Sequence, residues 1–260
     1  MTFKKLFIAA GIFAAGTFSA AASDIIVDNL GGGNYSYIGH GSSDDHLGGR
    51  NYDVYSMEVT RSDAGIMTVR INTRFVAYND QDYVFGDLFM STTGWNPTGN
   101  ASNGYQADNA FNTGTQWDYV YDLNGARDQT GDDFDTSSAS LHALNGTNDF
   151  EYGTYRGNDE HLYRVGENAK DGKIAGGSVE TNVDYNNKSN SYLEFVFNVS
   201  NTDLASAQQI AFHWTMSCAN DIIEGVIHFA GNKVPEPAAL GLLLLGLTAV
   251  GFARRRKQKS

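Results

Sequence analysis

The most reactive side chain belongs to Cys218, the only cysteine in the chain of 260 residues. A single thiol cannot form an intramolecular disulfide. As a nucleophile it would need a base within hydrogen-bond reach, but His213, which is near in sequence, lies on the predicted solvent face of its strand. We expect Cys218 to be buried or to cap a turn; intermolecular pairing and catalysis are the alternatives.

Acidic side chains cluster in several loop-like segments, and hard oxygen ligands of this kind are what calcium requires. The weak candidates for a calcium site are Asp80 and Asp82 in one loop, and Asp132 and Asp133 in another. Neither follows the EF-hand spacing, and the scattered histidines form no zinc-type arrangement. A structural calcium ion is an open alternative to solvated carboxylates, and no other cofactor is predicted.

Aromatic residues in loop-like contexts could hold sugar rings, and Trp95 and Tyr105 are the candidates for ligand binding. Motifs for catalysis are absent from the sequence, including a Gly-x-Ser-x-Gly elbow, a phosphate loop and His-Glu-x-x-His. Two carboxylates at a glycosidase spacing would arise by chance in any fold with so many acids. We therefore predict a protein that is not an enzyme and has no catalytic residues.

The elements that position these residues are predicted to be β-strands. Several runs alternate between apolar and polar residues with a period of two, which is typical of strands with one buried face. Only 203–209 reads as helix, and the polar, glycine-rich segments 96–114 and 124–140 read as long loops. Many short strands joined by such turns predict an antiparallel β-sandwich, jelly-roll-like, for the body at 23–233. The predicted buried sets are Val69, Ile71, Thr73 and Phe75; Trp117, Tyr119, Tyr121 and Leu123; Leu193, Phe195, Phe197 and Val199; Ile210, Phe212, Trp214 and Met216; and Ile223, Ile227 and Phe229.

The charge of this body excludes one class of partner. The chain has 18 basic and 30 acidic residues. Its two ends hold seven of the basic residues and one of the acidic ones, which leaves 11 and 29 for the body and a net charge of −18. Such a surface repels nucleic acid and anionic membranes. We expect no nucleic-acid partner.

The N-terminus is typical of a secretory signal peptide. Two lysines precede a short apolar run, and small residues follow it. This is the order of a basic start, a hydrophobic centre and an Ala-x-Ala exit for signal peptidase. With Ala20 and Ala22 at the exit, we predict cleavage after Ala22 and a signal peptide at 1–22.

The C-terminal segment 234–260 has three parts in a fixed order. Pro235, Glu236 and Pro237 come first, and an uncharged apolar stretch at 238–253 follows. As a helix the stretch would be about 24 Å long, which is marginal for a membrane span. A basic cluster follows it, and positive residues stay on the cytoplasmic side, so we predict a single transmembrane sorting helix with its C-terminus in the cytoplasm. Because proline fixes φ and lacks an N–H, the Pro-Glu-Pro segment is predicted to remain extended and open to an enzyme. The cluster begins with Arg254, Arg255 and Arg256.

This order of Pro-Glu-Pro, apolar helix and arginine cluster resembles the PEP-CTERM sorting domain of Gram-negative bacteria. The resemblance implies recognition by a membrane-embedded exosortase and removal of the tail. It further implies a precursor anchored transiently in the inner membrane and then delivery to the cell surface or extracellular matrix, usually alongside exopolysaccharide production.

Parts of the body also resemble uncharacterised exosortase-dependent surface proteins. The segments are Phe-Gly-Asp-Leu-Phe at 85–89 with Gly-Trp at 94–95, Gly-Thr-Gln-Trp-Asp-Tyr at 114–119, and Cys-Ala-Asn-Asp-Ile-Ile-Glu-Gly at 218–225. Members of that group more often have glycine where this chain has Ala219. We expect a structural or adhesive component of the extracellular matrix, linked to exopolysaccharide and biofilm. A carbohydrate-binding module of the matrix is the alternative, and a secreted glycan-active enzyme is the less favoured one.

Overall fold

The computed structural model describes residues 23–28, 37–39, 46–78, 83–124, 138–153 and 160–229. Within these ranges the regular elements are β-strands and short 3-10 helices. The predicted helix at 203–209 is one such 3-10 turn, Asp203–Ala205, and Gln209 already begins the next strand. The strands are β1 Ser23–Val27, β2 Val54–Arg61, β3 Ile66–Thr73, β4 Leu88–Ser91, β5 Tyr119–Asp122, β6 Ser140–Leu144, β7 Phe150–Gly153, β8 His161–Val165, β9 Lys170–Asn182, β10 Tyr192–Asn198, β11 Gln209–Thr215 and β12 Ile222–His228.

Ten of these strands form one antiparallel sheet in the order β1-β2-β3-β10-β9-β6-β5-β4-β11-β12. The sheet curls on itself until its edge strands β1 and β12 come into contact. A Cβ added to Gly225 in β12 would lie 2.9 Å from the side chain of Ile26 in β1. The prediction of a mainly antiparallel β fold is therefore confirmed, in a form between a sandwich and a barrel.

The interior of the curled sheet is the main hydrophobic core. It is filled by the residues that alternate inward along the strands, as predicted for β3, β10, β11 and β12. Phe195, Phe212 and Trp214 are among its largest fully buried side chains. The indole N–H of Trp214 donates to the Gly86 carbonyl at 2.9 Å, which provides the partner that a buried tryptophan normally needs.

Part of the outer face of the sheet is also buried, and this was not predicted. The β7–β8 hairpin packs over β11, and Phe89, Val120, Leu162, Val165 and Ala169 form a second apolar cluster beneath it. The prediction that His213 faces solvent is therefore wrong. Its side chain is 3 % exposed because the hairpin covers that face.

Asp87 attaches the hairpin to the sheet. Its side chain is fully buried, with Oδ1 accepting the backbone N–H of Leu123 and Oδ2 that of Val165, both at 2.9 Å. One carboxylate thus satisfies two buried backbone donors from separate parts of the fold. Buried N–H groups nearly always need such partners. The Asp87 carboxylate therefore links β8 to the backbone at the end of β5.

Candidate functional site

An open groove lies beside Trp95, one of the two aromatic residues predicted to bind a ligand. Its volume is about 600 Å³, which is within the usual range for small-molecule sites. None of the described residues that line the groove is an aspartate, glutamate, lysine or arginine. The lining residues are Thr93, Gly94, Trp95, Asn96, Gly114, Gln116, Gln209, Val226 and His228.

The groove requires glycine at one position in its wall. A Cβ added to Gly114 would lie 2.8 Å from the Asn96 carbonyl and would also collide with the Asn96 amide group. Two hydrogen bonds join the segments that form this wall. The Gly114 N–H donates to the Asn96 carbonyl at 3.0 Å, and the Asn96 N–H donates to the Thr115 hydroxyl at 2.9 Å. The chain segments on the two sides of the groove therefore lie in close contact.

Trp95 is half-buried and is held from behind. Its indole N–H donates to Glu224 Oε1 at 2.9 Å, and its ring packs against that of Tyr105 in a T-shaped arrangement at a centroid distance of 5.1 Å. Tyr105 does not line the groove; it stacks at 6.4 Å on Tyr37. Of the two predicted ligand-binding residues, the structure therefore brings Trp95 to an accessible site and places Tyr105 behind it as support.

Glu224 is the residue that connects this groove to the interior. It is 5 % exposed, and its Oε2 lies 2.7 Å from Nδ1 of His213. The other ring nitrogen of His213, Nε2, lies 2.7 Å from the Leu162 carbonyl and must carry a hydrogen, because a carbonyl only accepts. Both nitrogens of His213 are thus engaged in holding Glu224 and the β7–β8 hairpin together.

A second, smaller cavity lies on the far side of Glu224, between the sheet, the β7–β8 hairpin and the loop that carries Asp108. Its volume is about 110 Å³. Asp108 is 1 % exposed; its Oδ2 accepts the Tyr37 hydroxyl at 2.6 Å and its Oδ1 the Thr98 N–H at 2.7 Å. The wall also includes Thr113, Thr115, Trp117, Tyr152, His161, His213 and Glu224. Two buried carboxyl groups therefore face one cavity.

The pKa of Asp108 is raised to about 6, first by burial and then by the negative charge of Glu224. Between about pH 4 and 6 the folded state therefore binds more protons at this group than the unfolded state does. The contribution of Asp108 to stability consequently falls as the pH rises through that window. We expect Asp108→Asn to gain stability relative to wild type between pH 4 and pH 7, measured by denaturant unfolding at each pH. A difference between the two proteins that stays constant with pH would contradict this.

Other predicted residues have different outcomes. Cys218 is buried, as expected, with 4 % exposure. Trp117 precedes β5 and contacts His213 at a centroid distance of 5.6 Å, so it does not share the inner face of Tyr121 and Leu123. Ala219, where relatives were expected to have glycine, has a φ of +49°, a conformation that glycine adopts most readily.

The remaining predicted sites lie outside the described residues. They are the calcium candidates Asp80, Asp82, Asp132 and Asp133, the cleavage residues Ala20 and Ala22, and the sorting residues Pro235, Glu236, Pro237, Arg254, Arg255 and Arg256. Among the residues that the structure does describe, no three His, Cys, Asp or Glu side chains are grouped to hold a metal ion. The same part of the chain contains no helix that is long and apolar enough to cross a membrane.

The described part of the chain is thus an antiparallel β-protein with an open, largely neutral groove. Near the C-terminus of the chain, residues 233–257 match the family model described as the PEP-CTERM protein-sorting motif. The match confirms the predicted sorting signal and implies an exported protein that is processed by an exosortase. The chain matches no curated protein and no solved structure, so the resemblance of its body to other exosortase-dependent proteins stays a prediction.

Three residues that organise the site were not predicted from the sequence: Asp108, His213 and Glu224. Glu224 could have been recognised as unusual, because it is a charged residue inside the otherwise largely apolar strand β12. Alternation alone assigns such a residue to the solvent face. Only the unpredicted hairpin shows that this face is covered.

Proposed function

We propose that this protein is a non-enzymatic, adhesive component of the extracellular matrix that binds exopolysaccharide in the Trp95 groove. The observation that supports this most is the lining of the groove. Trp95 offers an apolar ring, and Asn96, Gln116 and Gln209 surround it with neutral donors and acceptors. Neutral sugars have both apolar faces and many hydroxyl groups, so they match a groove of this chemistry.

The charges of the molecule favour the same ligand class. No aspartate, glutamate, lysine or arginine is among the described residues that line the groove, so it offers no ion pair to a charged ligand. The body as a whole has a net charge of −18 and would repel an anionic polymer. A neutral or cationic polysaccharide is therefore the matrix partner that we favour.

His213, the histidine beside Glu224, is not placed for covalent catalysis. A catalytic histidine must have one nitrogen available to a nucleophile or substrate, and His213 uses both. This supports a binding role rather than turnover, with signal peptidase and an exosortase as the enzymes that act on the protein.

The test is retention of the processed protein on exopolysaccharide from a host that makes it. Because stacking on an aromatic ring contributes much of the energy in such sites, we expect Trp95→Ala to reduce retention at least about tenfold, a loss of about 1.4 kcal/mol. Tyr185→Ala is the matched control, since Tyr185 is 68 % exposed and does not line the groove. Equal losses in both variants, or none in either, would contradict the proposal.

A further inference from the structure

The smaller cavity has an unbalanced charge. Of its two carboxyl groups, Glu224 contacts Nδ1 of His213, whereas the hydrogen bonds that Asp108 receives from the described residues come from neutral donors: the Tyr37 hydroxyl, the Thr98 N–H and the Thr113 side chain. No lysine or arginine is among the described residues that line the cavity. A buried carboxylate without a cationic partner is strongly stabilised when a cation binds beside it, so the cavity favours a positively charged ligand.

The wall of the cavity favours an organic cation over a metal ion. The described His, Cys, Asp and Glu side chains supply no group of three that could ligate a metal. Rings of Tyr37, Trp117 and Tyr152 line the cavity instead, and aromatic faces attract ammonium groups through their quadrupoles. A primary ammonium group needs only a few acceptors, and Asp108 with the nearby threonine hydroxyls supplies them.

The size of the cavity limits how much of the ligand can enter. Its 110 Å³ is smaller than the cavity of roughly 150 Å³ that holds one benzene molecule. An ammonium group and the carbons next to it fit, and the rest of the ligand must lie at the mouth. Tyr152 lines the cavity, and its ring contacts Phe111, which is 63 % exposed, at a centroid distance of 5.0 Å. This exposed aromatic pair offers an apolar platform beside the charged interior.

From this arrangement we infer that the cavity binds the ammonium group of an amino sugar, with Asp108 as its counter-ion and the sugar ring against Phe111 and Tyr152. The inference rests on the proposed polysaccharide function and names one sugar of the polymer. It places a second, charge-selective subsite next to the neutral Trp95 groove, from which it is separated by the contact between Trp95 and Glu224.

The experiment is calorimetric titration of the full processed protein with glucosamine, N-acetylglucosamine, glucose and propylammonium at pH 7. With a pKa of about 6, Asp108 is mostly ionised at that pH. We expect glucosamine to bind at least about tenfold more tightly than the two neutral sugars, because only its ammonium can pair with the carboxylate. Propylammonium should bind more weakly than glucosamine, because it has no ring to rest on Phe111. Equal binding of glucose and glucosamine would overturn the inference, and equal binding of propylammonium would overturn the assignment to a sugar.

Variants locate the binding and separate this inference from the proposed function. Asp108→Asn keeps the shape of the side chain and should abolish the preference for glucosamine. Phe111→Ala changes an exposed residue, so it should leave folding intact and still weaken glucosamine about threefold; unchanged binding in either variant would overturn the inference. Gln116→Ala changes an exposed groove residue that has no contact with Glu224, so it should leave glucosamine binding unchanged while it reduces retention on polysaccharide. If Trp95→Ala has no effect on that retention but Asp108→Asn abolishes glucosamine binding, the groove proposal fails and the cavity assignment stands.

Discussion

Replacing Pro235, Glu236 and Pro237 with alanine should leave the protein in the inner membrane and remove nearly all of it from the cell surface. The physical reason is the conformation that the exosortase must bind. Two prolines prevent this segment from joining the apolar helix that is predicted to follow it, whereas three alanines are strong helix formers and would extend that helix. The exosortase would then find neither the Pro-Glu-Pro residues nor the extended conformation that they are predicted to hold.

The control for this prediction is Pro97→Ala, which changes the only other proline in the chain. Pro97 lies in the loop beside the Trp95 groove, far along the sequence from the sorting motif at 233–257. The distribution of this variant between membrane and surface, measured by fractionation and immunoblotting, should match that of wild type. Surface delivery of the triple-alanine protein at the wild-type level would show that Pro-Glu-Pro is not the recognition element.

The second large effect is expected for Asp87→Ala, which should lower the free energy of unfolding by about 3 kcal/mol or more. The substitution leaves the buried N–H groups of Leu123 and Val165 without the acceptors they now use. Each buried donor left without a partner costs about 1–3 kcal/mol. Because one of the donors belongs to β8, the hairpin that covers the smaller cavity should loosen as well.

Denaturant unfolding of the processed protein measures this effect, with Asp171→Ala as the matched control. Asp171 is an exposed aspartate in β9, and such surface changes usually stay within about 0.5 kcal/mol. If Asp87→Ala lowers the free energy of unfolding by less than about 1 kcal/mol, water or another group replaces the carboxylate. Asp87 would then not be the residue that links the hairpin to the sheet.

The part of the fold that could be predicted is the part governed by local periodicity. Phe195 and Phe212 were assigned to the core because apolar residues recur at every second position around them, and both are fully buried. Period-two alternation reports which side chains share a face. It does not report what covers that face, and for this reason His213 was wrongly assigned to solvent.

Less of the candidate site than of the core could be predicted, because local sequence patterns do not report contacts between distant residues. Trp95 could be selected because a tryptophan in a polar, glycine-rich loop has no local packing partners. Its hydrogen-bond partner Glu224 is 129 residues away in sequence. Asp108 and Glu224 line the same cavity only because the loop at 96–114 folds beside β12. Sheet order and loop placement set these contacts, and neither is encoded in spacing. The sorting signal could be predicted from the sequence alone, because its recognition depends on contiguous residues. The family match confirmed it.

Exosortase sorting can be tested by measuring the intact mass and location of the wild-type protein in cells with and without an exosortase. We predict that exosortase-containing cells deliver to the surface a species that begins at Ser23 and ends near Val234. Cells without the enzyme should retain in the membrane a species that has lost residues 1–22 and keeps its C-terminal tail. If the protein keeps the tail and stays in the membrane in both strains, the tail is only an anchor and the claim of exosortase sorting is wrong.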